Sequence, residues 1–314
     1  MRKVKDHLLL FLKGMSMGSA DIIPGISGGT VALITGIYEE LLDTIKSLDA
    51  NALRLLMAGK WKALWQHIHG PFLVTLLLGI GTSLRTTVNL VHYLLTYCPI
   101  QTWSFFFGLI LVSSLTVYQQ AKKFTYLTLP ISLVGAAIAY GITRANPIQT
   151  PDAIWFIFIA GAIALCAMIL PGISGSYMLL IMGKYALMLD ALKNLYWPLL
   201  SAFMLGGSVG LLSFSRFLTW LLRKYHDATI ALLAGFMLGS IPKAWPWKHV
   251  IKPLHSESLG GFLREENVSP AQFQAIYQQD PLLLQALLWM SLGCLLVIVL
   301  ERLAAHKQSY HRFS

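Results

Sequence analysis

Long apolar stretches restrict the fold of this chain more than any other feature of its sequence. Four of them have the length of a membrane-spanning helix, at residues 72–97, 101–121, 197–222 and 282–300. Two shorter stretches, 126–143 and 227–241, are also apolar. Charged residues make up only 12% of the 314 residues, about half of their share in a soluble domain. The sequence therefore predicts an all-α polytopic membrane protein with six spans.

Two further apolar segments, 14–48 and 153–195, are each interrupted by proline and glycine near the middle. Because proline removes a helix hydrogen bond, each segment is expected to form a re-entrant hairpin of two half-helices. If neither hairpin crosses the bilayer and the N-terminus is cytoplasmic, 15 Lys and Arg residues lie in the cytoplasm and 7 outside. This bias follows the positive-inside rule, so both termini are predicted to be cytoplasmic.

Two connecting segments lie between these elements. Residues 51–69 carry apolar side chains at helical spacing, with basic residues off that stripe, which predicts an amphipathic helix in the headgroup plane. Residues 244–281 are the only sizeable connection and are predicted to form an outer loop. Within this loop, Ser269 followed by Pro270 predicts the start of a short helix.

An internal repeat relates the two halves of the chain. Aligning Pro24 with Pro171, 147 positions later, gives 15 identical residues in the 31 positions from 18 to 48. After the additional segment of the first half, the offset becomes 127 and pairs Gly79 with Gly206. The agreement is too extensive for chance, so the chain is interpreted as a duplication.

The duplication assigns residues 1–150 to a first repeat and residues 151–314 to a second, each with one broken hairpin and three spans. An odd number of spans turns the second repeat over relative to the first, which gives inverted repeats of the kind found in secondary transporters. The alternative is a duplication that only provides close helix packing through small residues.

Each break is followed by a new helix, beginning near Ser27 to Thr30 in the first half and near Ser174 to Tyr177 in the second. A helix N-terminus presents free N–H groups and the positive end of the dipole, so an anion is the expected ligand. The predicted phosphate-binding residues of the breaks are Gly25, Ser27, Gly28, Gly29, Thr30, Gly172, Ser174, Gly175 and Ser176. Simple helix capping by the serines is the alternative.

Arg85 and Arg216 are the two charged residues near the middle of the predicted spans, and they lie on related faces of repeat-equivalent helices. A buried arginine in a membrane usually serves a function and faces a cavity, and its planar guanidinium suits a phosphate. Both are therefore added to the predicted phosphate site. A structural pairing with a carboxylate or with carbonyl groups is the alternative.

Three carboxylates are candidates for proton coupling. Asp21 precedes the first break by three residues and has Met168 as its counterpart, so it could carry a proton or neutralise an arginine. Glu39 and Glu40 lie about three turns after the break, nearer the interface, and are expected to be solvated, as is Lys184 in the second half.

Metal and nucleic-acid sites are not indicated. The nine histidines and three cysteines have no metal-ligand spacing, and no cofactor is predicted. The net charge is +10, but the basic residues lie between apolar runs and therefore indicate anionic membrane lipids as partners rather than nucleic acid. A homo-oligomer remains open.

The repeated strings resemble a known family over essentially the whole chain. GMSMGSADIIPGISGGTVALITGIYEELL, ALCAMILPGISGSYMLLIMGKY, FFFGLILVSS and GFMLGSIPKAWPW are similar to the bacterial polyprenyl-phosphate transporters. The resemblance implies translocation of undecaprenyl phosphate from the outer to the cytoplasmic leaflet of the plasma membrane, which recycles the lipid carrier of peptidoglycan and surface polysaccharides. One departure is that the second repeat has GKYALML, with no carboxylate where the first has Glu39 and Glu40, so a symmetric role of these glutamates is not expected.

Two other functions compete with lipid transport. A proton-coupled transporter of a small soluble anion would use the same helix breaks. A membrane lipid phosphatase is the enzymatic alternative, but its known forms need His and Arg in set loop motifs, and the histidines of this chain form no such set.

Overall fold

The fold is described from a computed structural model for residues 4–22, 27–121, 128–251 and 264–310. It is about 80% helical, as the composition predicts. The elements in chain order are α1 (Val4–Ile22), α2 (Gly28–Ile34), α3 (Tyr38–Lys46), α4 (Ala50–Met57), α5 (Trp61–His67), α6 (Gly70–Tyr97), α7 (Pro99–Gln119), α8 (Thr128–Arg144), α9 (Ile154–Ile169), α10 (Gly175–Ile181), α11 (Tyr185–Lys193), α12 (Trp197–Lys224), α13 (His226–Ser240), a 3-10 helix (Ile241–Ala244), β1 (Lys248–Ile251), β2 (Arg264–Asn267), α14 (Pro270–Tyr277) and α15 (Leu283–Tyr310).

Each stretch predicted to span the membrane coincides with one long helix, namely α6, α7, α8, α12, α13 or α15. Among the described residues, α7 and α12 are both long and apolar enough to cross a bilayer by themselves. A third candidate is the pair formed by α5 and the first part of α6, which are bent by 70°. The structure thus contains several apolar helices, as a membrane protein requires.

The segment predicted to be one interfacial helix forms two short helices, α4 and α5. Gly59 lies between them with a φ of 64°, a left-handed conformation that ends a helix and favours glycine. The Asp49 carboxylate caps α4 by accepting from the amides of Asn51 and Ala52, and it also lies 3.0 Å from His67 Nε2. The prediction of a single continuous helix over 51–69 is therefore wrong.

Helix boundaries recur at the offsets that the sequence alignment gives. Shifting α2 and α3 by 147 residues reproduces the bounds of α10 and α11, and shifting α6 by 127 residues reproduces the bounds of α12. The turn between the short helices has a glycine at the same place in both halves, with φ of 71° at Gly36 and 66° at Gly183. The repeated sequence therefore forms repeated local structure.

Packing partners also recur. The helix α1 packs against α6, and its counterpart α9 packs against α12. Glycines permit the close approach: a Cβ at Gly14 would lie 2.5 Å from the Leu76 carbonyl oxygen, and one at Gly206 would overlap the Phe158 carbonyl oxygen.

The remaining long helices pair across the two halves. The helix α8 packs on α13, and α7 packs on α15. A Cβ at Gly235 of α13 would overlap the Ser132 carbonyl oxygen, and one at Gly108 of α7 would overlap that of Met290. Each of these pairs contains one helix from each half, so the two halves share a common helical core.

The connection after α13 folds back on the helix ends. The strands β1 and β2 pair antiparallel, with Lys248 opposite Asn267. Ser269 starts α14 with a capping box formed with Gln272, as the Ser-Pro pair predicts. The indoles of Trp245 and Trp247 donate to the carbonyl oxygens of Val268 and Pro281, which fixes this connection against α7 and α15.

Candidate functional site

The two helix breaks lie in direct contact. The hydroxyl of Ser27, at the first break, donates to the Met168 carbonyl oxygen at 2.9 Å. In return, the amide of Gly172, at the second break, donates to Thr30 Oγ1 at 2.9 Å. The phenol of Tyr38 adds a third link by donating to the Ile169 carbonyl oxygen at 3.1 Å. These links join residues that are more than a hundred positions apart, so the breaks of the two halves form one buried centre.

Glycines allow this contact. A Cβ at Gly29 would overlap the Ile169 carbonyl oxygen, so only glycine lets the second half approach there. Gly172 has a φ of 83°, and a Cβ would lie 2.7 Å from the Phe236 carbonyl oxygen. Both are predicted site residues, and both serve the packing of the centre. Gly25, another predicted glycine of the first break, lies outside the described residues.

The first break is occupied by side chains of its own half. Asp21 Oδ1 accepts from the Gly28 amide at 2.6 Å, and Ser27 Oγ accepts from the Gly29 amide at 3.1 Å. The Thr30 amide donates to the Ser27 carbonyl oxygen at 2.9 Å. The first-turn amides of α2, which would serve an external anion, are therefore held by the chain itself.

The second break differs from the first. Ser174 is the N-cap residue of α10, but its side chain makes no capping bond. Its hydroxyl lies 2.9 Å from that of Ser176 instead. Within the part of the chain that the structure describes, no oxygen accepts from the amides of Gly175 or Ser176. The second break thus has two hydroxyls that bond to each other and two amides without an acceptor among the described residues.

Arg85 and Arg216 are exposed, so the prediction that they are buried is wrong. On α6, Ser83 faces α1 and its hydroxyl lies 2.7 Å from that of Ser19. Arg85 follows Ser83 by two residues, about 200° around the helix, and therefore points away from α1. In the described ranges neither guanidinium has a hydrogen bond or an ion pair. Their phosphate-binding role stays a prediction.

Glu39 and Asp43 of α3 line a cleft of about 390 Å³ between α3 and the junction of α12 with α13. Glu39 Oε1 lies 3.8 Å from His226 Nε2, and Arg223 Nη2 lies 3.2 Å from Asp43 Oδ1. Glu39 is solvated, with a side chain 70% exposed, as predicted, and Glu40 is half-buried beside it. Sequence reasoning missed this charged contact between the halves, although the identity of Asp43 with Asp190 in the repeat draws attention to the position.

Lys184 is buried, contrary to the expectation that it is solvated. Its side chain is 2% exposed, because its ammonium donates to the Thr150 carbonyl oxygen at 2.6 Å and pairs with Asp152. The partners lie in the segment between α8 and α9, which therefore anchors α10 and α11 to the end of the first half.

Comparison with known proteins identifies the family. The sequence profile of a family described as undecaprenyl phosphate translocase-like matches residues 17–259. A protein of Vibrio cholerae named polyprenyl-phosphate transporter is 44% identical over 303 residues, which cover 96% of this chain and 98% of that relative. A protein of Staphylococcus aureus with the same name is 32% identical over 254 residues, which cover 75% of this chain and 85% of that relative.

No solved structure matches this chain with significant similarity. The family resemblance of the repeated motifs is confirmed by the profile and by both relatives. Because the profile covers most of the sequence, including both helix breaks, this chain belongs to the undecaprenyl phosphate translocase-like family.

Proposed function

We propose that this protein translocates undecaprenyl phosphate from the outer to the inner leaflet of the bacterial plasma membrane. Both curated relatives are named polyprenyl-phosphate transporters, which supports a transport role and a lipid phosphate as its substrate. The observation that carries the proposal is the contact between Thr30 and Gly172, because it brings the helix breaks of both halves to one buried centre.

The proposed topology has two inverted halves, with both termini in the cytoplasm and the connection after α13 outside. The recurring helix bounds support it, since α10, α11 and α12 repeat α2, α3 and α6 at the sequence offsets. In inverted-repeat transporters the substrate site lies where the two repeats meet near the middle of the bilayer. The contact between the breaks of the two halves supports a substrate site at this position.

The proposed phosphate ligands are those at the second break. The hydroxyls of Ser174 and Ser176 and the amide of Gly175 can each donate a hydrogen bond to a phosphate oxygen. At the first break the Asp21 carboxylate occupies the equivalent place on Gly28. A phosphate and Asp21 carry charges of the same sign, so the first break is available to the phosphate only after Asp21 leaves or is protonated.

Arg85 and Arg216 complete the proposed path. A guanidinium on a helix within the bilayer is costly unless it meets water or a counter-charge. Both side chains are exposed and unpaired among the described residues, so they are available to a passing phosphate. In this proposal the two arginines bind the phosphate headgroup transiently as it moves, and the second break binds it at the centre.

The test is reconstitution of the purified protein in liposomes with labelled undecaprenyl phosphate. Three readouts are taken from one preparation: movement of the lipid between leaflets, release of inorganic phosphate from the lipid, and uptake of external inorganic phosphate. We expect leaflet exchange alone. Released phosphate would instead identify a lipid phosphatase, and uptake of free phosphate would identify a carrier of small soluble anions.

A double variant links that activity to the second break. Ser174→Ala with Ser176→Ala removes both hydroxyls, and it should lower the exchange rate at least about tenfold, since each hydrogen bond to a charged group contributes roughly 1.5–3 kcal/mol. The matched control is Ser208→Ala on α12, whose exposed hydroxyl bonds, among the described residues, only to the Met204 carbonyl oxygen of its own helix. An equal loss in both variants would exclude a specific role for the break.

A further inference from the structure

Three charged side chains meet where the connection after α13 packs on the helices. The Glu265 carboxylate of β2 lies 3.1 Å from the ammonium of Lys248 and 3.7 Å from that of Lys243. Each ammonium also lies over an aromatic ring: Lys248 Nζ is 3.6 Å from the ring centre of Trp103, and Lys243 Nζ is 5.0 Å from that of Tyr177. We call these three charged residues the lysine cluster.

The lysine cluster has more positive than negative charge. Two ammonium groups share one carboxylate, and no other described carboxylate pairs with either of them. The Lys248 side chain is only 9% exposed, and a buried charge is costly without a full set of partners. The cluster therefore has a net charge of one positive unit, which can bind an anion. It is accessible to solvent, since the side chains of Lys243 and Glu265 are 23% and 36% exposed.

The aromatic rings connect the cluster to both halves. Trp103 belongs to α7, and Tyr177 is the third residue of α10, directly after Ser176 of the second break. The Tyr177 hydroxyl is fixed by donating to the Thr143 carbonyl oxygen at 2.9 Å. Lys243 thus lies over a side chain from the first turn of α10, the helix whose N-terminal hydroxyls and amides we assign to phosphate binding.

We propose that Lys243 and Lys248 form a capture site for a terminal phosphate group, from which the phosphate passes to the second break. A phosphate monoester carries close to two negative charges at neutral pH and three acceptor oxygens, so it can accept from both ammonium groups at once. In the structure Glu265 takes that place and holds the two lysines in position. On the proposed topology the site opens to the outer face, so this inference rests on the proposed function.

The test measures binding and exchange separately. Undecaprenyl phosphate in liposomes and inorganic phosphate in solution are the two probes, each added from outside to the parent and to variants. Lys243→Gln and Lys248→Gln should each weaken lipid binding about tenfold, as expected for loss of one charged hydrogen bond. The control is Lys224→Gln, because Lys224 also lies over aromatic rings, at 5.3 Å from Trp220 and 5.4 Å from Tyr225, but it precedes α13 whereas the lysine cluster follows that helix.

Glu265→Gln distinguishes a ligand site from a structural ion pair. A ligand site predicts severalfold tighter binding, since the variant removes the carboxylate that competes with phosphate. A purely structural ion pair predicts no gain, and its loss would only lower the unfolding temperature, which is measured for every variant. If Glu265→Gln fails to fold, the two lysine variants decide the question.

The outcomes separate the site from the translocation itself. Lysine variants that bind both probes like the parent would overturn the capture site, while continued exchange by the parent would leave the proposed function intact. If the parent binds phosphate at the lysine cluster but exchanges no lipid, the site stands and the proposed function fails. Weakened binding of the lipid alone identifies a lipid headgroup as the ligand, and equal weakening for both probes identifies any terminal phosphate, including free phosphate.

Discussion

The carboxylate of Asp21 accepts a hydrogen bond from the backbone amide of Gly28 at 2.6 Å, across the first helix break. The repeat-equivalent residues are Met168 and Gly175, at an offset of 147, and a thioether cannot replace a carboxylate there. The two breaks are therefore chemically different although their sequences match. The first break carries an internal carboxylate, whereas the second has two hydroxyls that bond to each other and two amides without an acceptor in the described ranges.

Asp21→Asn tests the role of this internal anion. The amide oxygen of asparagine can still accept from Gly28, but the side chain carries no charge and no exchangeable acid proton. We predict that the variant binds phosphate as the parent does and loses acceleration by a pH gradient, measured as leaflet exchange in liposomes. Asp190→Asn is the control, since Asp190 is exposed and its carboxylate accepts, in the described ranges, only from the Asn194 side chain.

Full gradient-driven exchange by Asp21→Asn would remove Asp21 from proton coupling. Glu39 would then be the next candidate, because its carboxylate lies 3.8 Å from His226 in the cleft between the halves. Glu40, which is half-buried beside Glu39, would be the candidate after that.

Thr30→Val tests the contact between the two breaks. The substitution removes the acceptor of the Gly172 amide while keeping a β-branched side chain, and an unpaired buried amide costs roughly 1–3 kcal/mol. We expect the free energy of unfolding in detergent to fall by about that amount, with a loss of exchange. Thr30→Ser should retain both properties.

The matched control for Thr30→Val is Thr82→Val, which removes an exposed hydroxyl whose one partner in the part of the chain that the structure describes is the Leu78 carbonyl oxygen of the same helix. An unfolding free energy of Thr30→Val equal to that of the control would mean that the link between the breaks contributes nothing to stability.

Substitution of Arg85 or Arg216 by glutamine should weaken binding of undecaprenyl phosphate about ten- to a hundredfold, since each charged hydrogen bond is worth roughly 1.5–3 kcal/mol. Because both side chains are exposed, the variants should unfold at the temperature of the parent. Lysine should restore binding only in part, as it lacks the two-pronged guanidinium. A glutamine variant with the affinity of the parent would exclude that arginine from the phosphate path.

Phosphate binding at the lysine cluster should depend on pH in a defined direction. Burial, together with repulsion from Lys243, lowers the pKa of Lys248 to about 8, while Glu265 opposes this shift. Lys243 and Glu265 are the charged groups that face Lys248 in the described ranges. The Trp103 ring of α7, which also faces it, is neutral. Since the phosphate monoester is already a dianion above about pH 6, affinity should fall as pH rises through about 8.

Protein stability should change in the opposite direction to phosphate affinity. The unfolded chain binds a proton at Lys248 up to its ordinary pKa of 10.5, while the folded chain releases it near 8, so the free energy of unfolding should rise with pH between these values. The measurement is the pH dependence of phosphate affinity and of the free energy of unfolding, in the parent and in Lys248→Gln. A pH-independent affinity in the parent would exclude Lys248 from the site.

Much of the helical framework could be predicted from the sequence, because each repeat contains residues that end helices. Proline and glycine at the breaks, and Gly36 with Gly183 at the turns, end the helices at equivalent positions in both halves. The contact of the two breaks is also consistent with duplicated strings that meet at a repeat interface. These features follow from local chemistry that is visible in the chain.

The environment of individual charges could not be predicted in the same way. Lys184 is buried by a carbonyl oxygen and a carboxylate that lie more than thirty positions earlier, and the lysine cluster joins three elements of the connection to α7 and α10. Arg85 is exposed because α1 packs on the opposite side of α6. Such arrangements depend on which helix faces pack together, and hydropathy does not encode this.

The most direct measurement of the central claim is the rate at which undecaprenyl phosphate leaves the outer leaflet of liposomes that contain the purified protein. The lipid is labelled at its isoprenoid end, and its phosphate is probed from outside with an impermeant phosphatase over time. Translocation predicts that the outer pool becomes protected faster than in empty liposomes, and that Ser174→Ala with Ser176→Ala slows this protection while Ser208→Ala does not. If the lipid phosphate becomes protected no faster with the folded parent protein than in empty liposomes, the claim of translocation is contradicted.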